Sequence, residues 1–240
     1  MGKITAKDFI INAFFPKRCE LCGKVINPHY DLCPECESGD FYIKNEICAL
    51  CGVEKEYCVC KKRKNSYSMI CSPFYYEGGA KTAVLKLKFG ENRQYAKSLA
   101  KYMAACVNER YQGIDIDEIA FVPMTKRQIK ERSFNQSELL ADEIGKLINK
   151  PVRKYLCKVF ETKQQHTLKE SLRKGNVLGA YDTKVKDAVS PQGKTVLLCD
   201  DIMTTGATLN ECAKMLRLAG AKDVVCVAAA ITKKRVDKTD

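Results

Sequence analysis

At 240 residues the chain can hold one large domain or two modest ones, and its 45% hydrophobic content is that of an ordinary globular protein. No run approaches the roughly 18 apolar residues of a membrane span, and the N-terminus lacks the apolar core of a signal peptide, so the sequence reads as cytoplasmic with no membrane span. A net charge of +12 favours an anionic partner, nucleic acid or phosphorylated metabolites, and 14 cysteines in a reducing compartment point to metal ligation rather than disulfides.

In chain order, residues 6–15 read as a short apolar helix ended by Pro16. Cys19-x-x-Cys22 and Cys33-x-x-Cys36 come next, ten residues apart. Each pair makes a turn that aims its thiolates at one point, and two such knuckles make a closed tetrahedral zinc site. His29, between them, reads as a solvated loop residue. Cys48-x-x-Cys51 and Cys58-x-Cys60 form a second, less regular set, read as another zinc site; the alternative is that some of these thiols are structural or spare. A segment this small cannot bury enough apolar surface to fold without such staples. Loss of zinc is therefore expected to unfold the chain up to about Cys60 and to leave the sheet of the C-terminal part intact.

Lys61, Lys62, Arg63 and Lys64 could grip a nucleic-acid backbone, or form a solvated linker. A boundary here gives a zinc-ribbon domain over 1–66 and a second domain over 67–240.

In the second domain, 67–76 reads as a strand that Pro73 places at a sheet edge. Residues 77–89 and 95–107 read as helices, the first stopped by Gly90. Residues 118–122 form a buried strand ending at Pro123. The stretch 124–134 beyond it reads as a donor-rich loop suited to an anion, and Asn135 opens another helix. Residues 155–160 read as a short strand. Polar residues 161–177, with Gln165, His166, Arg173 and Asn176, read as a mobile lid or a plain surface loop. Residues 223–231 form a last buried strand before a charged tail. Cys71, Cys106, Cys157, Cys212 and Cys226 lie singly in apolar surroundings and read as small buried residues.

The centre of the chain is 196–208. Val196, Leu197, Leu198 and Cys199 form a buried strand, which Asp200 and Asp201 end. Thr204, Thr205, Gly206, Ala207 and Thr208 then lead into a helix over 209–218. Small residues let backbone N–H groups converge on a phosphate, and a helix N-terminus adds positive charge. The two carboxylates repel a phosphate at close range, but they suit vicinal hydroxyls or a hydroxyl-bound Mg²⁺. The order reads as a sugar-phosphate site. A capped strand-to-helix turn would explain only one or two of these residues.

This stretch resembles the phosphoribosyl-diphosphate (PRPP) motif of type I phosphoribosyltransferases. The whole chain resembles the ComF family. The resemblance is carried by the Cys pairs, Lys88-Phe89-Gly90, Lys126-Arg127, Arg132 through Gln136, Gln165 through Asn176, and the central motif. It implies an α/β domain with a mostly parallel sheet and helices on both faces, preceded by a small zinc-ribbon domain. It also implies PRPP held by Met124, Thr125, Thr204, Thr205, Gly206, Ala207 and Thr208, with Asp200, Asp201, Lys126 and Arg127 in catalytic roles. Zinc would be structural and magnesium would accompany PRPP. The implied partners are single-stranded DNA during natural transformation and other competence proteins such as a DNA-uptake helicase. The alternative is a nucleic-acid-binding protein that senses PRPP without catalysis. Ser133 stands where the family more often has Gly, and Tyr181 where Phe is common.

Overall fold

The computed structural model describes residues 15–60, 64–89, 93–159, 180–183 and 190–233. Several expected features lie outside these residues: the helix before Phe15, the basic cluster 61–63, Gly90, the polar segment 161–177 and the tail beyond Lys233. No helix among the described residues is long and apolar enough to cross a membrane.

The first ribbon begins with a tight turn in which the Gly23 N–H donates to the Cys19 carbonyl at 3.0 Å. Cys33 caps α1, Pro34–Glu37, whose proline at the first position needs no hydrogen-bond partner. The second ribbon repeats the turn, with the Gly52 N–H on the Cys48 carbonyl at 2.7 Å, and continues into a 3₁₀ turn over Lys55–Tyr57.

The remaining elements are β1 (Met69–Cys71), β2 (Phe74–Tyr75), α2 (Gly78–Phe89), α3 (Gln94–Arg110), β3 (Glu118–Phe121), α4 (Lys126–Arg132) and α5 (Gln136–Ile148). After them come β4 (Cys157–Lys158), β5 (Tyr181–Asp182), β6 (Thr195–Met203), α6 (Ala207–Leu218) and β7 (Asp223–Ile231). The main sheet has the order β1–β7–β6–β3, every pair parallel, with β2 also on β7. Leu197 faces Ile119 on one side and Val225 on the other. The apolar runs of β6 and β7 are almost wholly buried, as a parallel sheet requires. Helices α3 and α5 pack on each other; α6 packs on β6, β7 and β5.

Four expectations need correction. First, β6 runs on through both acids to Met203, because the β7 ladder continues: Asp200 pairs with Ala228 and Ile202 with Ala230. Second, the stretch after β3 is mostly helical. Thr125 and Gln128 form a capping box, good helix formers come after it, and Ser133 ends the helix with φ 66°. Third, among the described residues of the strand expected over 155–160, the strand is confined to β4, which pairs antiparallel with β5. Fourth, Pro73 splits the first strand into β1 and β2.

The ribbons are built into the same core as the sheet. Leu21, Phe41 and Val53 are buried with Ile70, Phe74 and Tyr75. The Phe41 and Phe74 rings lie 5.8 Å apart and Phe74 and Tyr102 5.0 Å. The Tyr75 N–H donates to the Phe41 carbonyl at 2.7 Å, and the Ile70 N–H to the Ala49 carbonyl at 3.0 Å.

Candidate functional site

The site forms at the carboxyl end of β6, the edge of a parallel sheet where loops converge and ligands bind. Asp200 is 8% exposed. One of its carboxylate oxygens accepts from the Ser137 hydroxyl and from the Asp201 N–H, each at 2.9 Å. Burial, and after it the charge of Asp201, push the Asp200 carboxyl up to about 7. Asp201 pairs with the Lys88 ammonium at 2.9 Å, both side chains being largely buried. Tyr76 stands by this pair, its phenol pushed up chiefly by burial.

The turn after β6 carries the threonines. Thr205 is buried, and its hydroxyl accepts from the Ala207 N–H at 3.3 Å. Gly206 is the N-cap of α6 with φ 76°, and a Cβ there would lie 3.3 Å from the Tyr67 hydroxyl. A side chain at this position is strained by its backbone as well as crowded. Thr208 lies in the first turn of α6, next to the phenol of Tyr181, whose pKa burial raises. Asp200, Asp201 and Thr204 through Thr208 are thus brought together around the start of one helix, where unpaired N–H groups concentrate.

The stretch after β3 is reached through the Asn135–Ser137 turn. The Asn135 amide donates to the Val122 carbonyl at 3.0 Å, its oxygen caps Ser137, and Ser137 reaches Asp200. Met124 is half-buried. The Thr125 N–H and hydroxyl are both engaged by Gln128, at 3.1 and 3.2 Å. Lys126 is exposed, and the exposed Arg127 guanidinium pairs with Glu131 at 2.9 Å.

Lys88 and Ser137 were missed as site residues on sequence reasoning. The signal for Lys88 was its register: it falls on the α2 stripe of Ala80 and Val84, both fully buried. A lysine in line with core residues needs a partner. Lys88→Ala should therefore destabilise the fold by about 1–3 kcal/mol by leaving Asp201 uncompensated, and Lys88→Arg should recover most of the loss. Thermal unfolding of the two variants beside wild type checks this; equal loss in both would mean that the stem, not the charge, matters.

The cysteines gather into two clusters, Cys19, Cys22, Cys33 and Cys36, and Cys48, Cys51, Cys58 and Cys60; within each, all sulfurs lie within 4.8 Å of one another. The Cys22–Cys33 and Cys51–Cys58 sulfurs are 3.5 and 3.7 Å apart. A tetrahedron with Zn–S bonds of ~2.3 Å has edges of about 3.8 Å, so both donor sets fit zinc. His29 is exposed, lies outside both clusters and bonds through its N–H to Asn27.

Comparison with known proteins agrees with this architecture. A double zinc ribbon domain matches residues 10–73 and a phosphoribosyl transferase domain residues 138–240. Competence protein F of Haemophilus influenzae is 27% identical over 223 residues, 88% of this chain and 95% of that protein. DNA utilization protein YhgH of Salmonella typhimurium is 27% identical over 86% of each chain, and Competence protein ComFC of Bacillus subtilis 25% over 80% of each. A solved hypoxanthine phosphoribosyltransferase from Staphylococcus aureus is 17% identical, with a TM-score of 0.37, over 61% of this chain and 69% of that one. Over most of its length the chain is similar to competence protein F, YhgH and ComFC, and along it a match to the double zinc ribbon domain is followed by one to the phosphoribosyl transferase domain.

Proposed function

We propose that the protein binds PRPP, as its Mg²⁺ complex, and transfers ribose 5-phosphate to a nitrogen acceptor. The observation that carries this is the acid pair, glycine turn and helix start in unbroken order at the carboxyl end of the central strand β6. The first N–H groups of α6, with Thr204, Thr205 and Thr208, hold the 5-phosphate. Asp200 and Asp201 accept the ribose hydroxyls and favour the positive charge that develops on the ring. The lone pair of the acceptor nitrogen forms the bond to C1 as the C1–O bond breaks. The bonding pair leaves on pyrophosphate, and the proton of the nitrogen passes to solvent. Lys126 and Arg127 receive the pyrophosphate, Arg127 exchanging Glu131 for it. Mg²⁺ comes with the diphosphate and neutralises part of its charge. The zinc sites are structural.

A second reading is binding of PRPP without turnover. It is favoured by the Arg127–Glu131 pair and by the Thr125 capping box, which engage two residues of the leaving-group side within α4. In either case the names of the relatives and the +12 charge support a role with single-stranded DNA taken up by the cell.

Calorimetric titration of Mg²⁺–PRPP into wild type should show binding, and the Asp200→Ala, Asp201→Ala double variant should lose it at least 100-fold. Equal binding by both would remove the PRPP site. Acceptor-dependent pyrophosphate release identifies turnover; binding without release identifies the second reading. Single-strand binding in the same preparation should weaken steeply as salt rises.

A further inference from the structure

Three consecutive residues tie the second cysteine ribbon to the phosphate turn. Asn65 and Tyr67 reach back to the ribbon's first knuckle. There the Leu50 carbonyl, between Cys48 and Cys51, accepts from the Tyr67 hydroxyl at 2.8 Å and from the Asn65 amide at 2.9 Å. Ser66, between them, reaches forward, and its N–H donates to the Asn210 side-chain oxygen on α6 at 2.7 Å. Asn210 lies one helical turn from Gly206, whose carbonyl accepts from the Asn210 N–H at 2.9 Å. Tyr67 is 3% exposed, and its hydroxyl lies 3.3 Å from where a Cβ on Gly206 would stand. The ring tip that bonds the knuckle therefore also backs the N-cap of α6.

The knuckle itself has little freedom. The Cys51 and Gly52 N–H groups both donate to the Cys48 carbonyl, at 3.3 and 2.7 Å. The Ala49 carbonyl accepts from the Ile70 N–H at 3.0 Å, and a Cβ on Gly52 would lie 2.5 Å from the Ile231 side chain. Cys48 and Cys51 are two of the four donors of the second cluster, so a metal held there fixes the turn in which Leu50 sits. The first ribbon is bonded elsewhere. Its Cys22 carbonyl accepts from the Lys86 ammonium of α2 at 2.9 Å, and its Cys36 carbonyl from the Tyr42 hydroxyl at 3.0 Å.

We propose that Tyr67 is a positioning residue that couples the second ribbon to the phosphate turn, so that the knuckle of Cys48 and Cys51 sets the start of α6 and with it the affinity for PRPP. The hydroxyl is the joint. Its bond to Leu50 holds the ring tip against Gly206, where φ is 76° and a side chain would be crowded. The N–H groups that face a phosphate begin directly after that glycine. Without the bond the ring still fills its place, but its tip is no longer held, and the turn it backs loosens. Coupling between two sites is reciprocal: what the ribbon does for PRPP, PRPP does for the ribbon. This inference rests on the PRPP reading above.

The test uses the zinc-loaded full chain and its Tyr67→Phe and Tyr42→Phe variants. Each variant loses one hydroxyl bonded to a ribbon carbonyl and keeps its ring. In Tyr67→Phe the Leu50 carbonyl keeps the Asn65 amide, so the melting temperature should fall by no more than ~4 °C. Calorimetric titration of Mg²⁺–PRPP should show affinity about tenfold weaker in Tyr67→Phe and within about twofold of wild type in Tyr42→Phe. Hydrogen exchange reads the reverse direction. Mg²⁺–PRPP should slow amide exchange over 48–52 of wild type about fivefold, leave 19–23 unchanged, and lose its effect on 48–52 in Tyr67→Phe. Tyr67→Phe that binds PRPP as tightly as wild type overturns the inference, as does equal weakening by Tyr42→Phe. Equal slowing in both ribbons also overturns it, being general stabilisation, and so does slowing over 48–52 that survives in Tyr67→Phe. Wild type that fails to bind PRPP overturns the PRPP reading and, with it, this one.

Discussion

Stripping zinc from the reduced full chain should lower the melting temperature of the whole molecule, by more than ~15 °C, in a single transition. Structural zinc contributes about 10–16 kcal/mol to folding in small fingers, and this chain has two donor sets for it. The sequence alone divides at 66/67 and leads one to expect an intact sheet after zinc is lost. The packing argues otherwise. Leu21, Phe41 and Val53 are at most 5% exposed, and they are covered by the same core that covers Phe74 and Tyr75. Unfolding the ribbons would uncover β1 and β2, and would take from Ile70 and Tyr75 the carbonyls of Ala49 and Phe41. Ribbon 1 also touches α2, whose Lys86 ammonium donates to the Cys22 carbonyl at 2.9 Å. Metal analysis should give two zinc ions per chain. Calorimetry of the holo and chelated protein decides the coupling: two separate transitions, the upper at the holo temperature, would show that the sheet stands without the ribbons.

The parts legible in the sequence were those set by local spacing. Paired cysteines need only a turn to converge, and both clusters formed from the pairs as they stand. The apolar runs of β6 and β7 needed only burial to become central strands. The errors came where a local signal competed with another. Lys126 through Arg132 read as a loop by charge, yet Thr125 and Gln128 form a capping box and the residues between favour helix. The two acids looked like a strand end because carboxylates seldom sit in a buried strand. The neighbouring ladder of β7, far away in sequence, carries the strand past them. Lys88 and Ser137 could not be assigned for a related reason. Their partners, Asp201 and Asp200, are brought to them only by tertiary packing.

Asp200→Asn should stabilise the ligand-free protein near pH 8 and abolish most PRPP binding. In the folded chain burial, and then Asp201, raise the Asp200 carboxyl from the ordinary 3.8 to about 7, with the Ser137 hydroxyl, the Asp201 N–H and the charge of Lys88 opposing the rise. Between those two pH values the folded state keeps a proton that the unfolded state has released. Stability therefore falls as pH rises from about 4 to about 7, and stays level above that. Asparagine carries no charge to desolvate, and its oxygen can still accept from Ser137. The variant should thus match wild type near pH 4 and exceed it near pH 8 by on the order of 1–2 kcal/mol, a few degrees in melting temperature. The same change removes a charge that ribose hydroxyls would meet, so PRPP affinity at pH 8 should drop at least tenfold. Melting curves of both proteins across this range, with a PRPP titration at pH 8, read both effects. Parallel melting profiles would show that Asp200 is not the group being forced to ionise. A stabilised variant that binds PRPP as well as wild type would place the ribose hydroxyls on Asp201 alone, where Lys88 already holds the carboxylate at 2.9 Å.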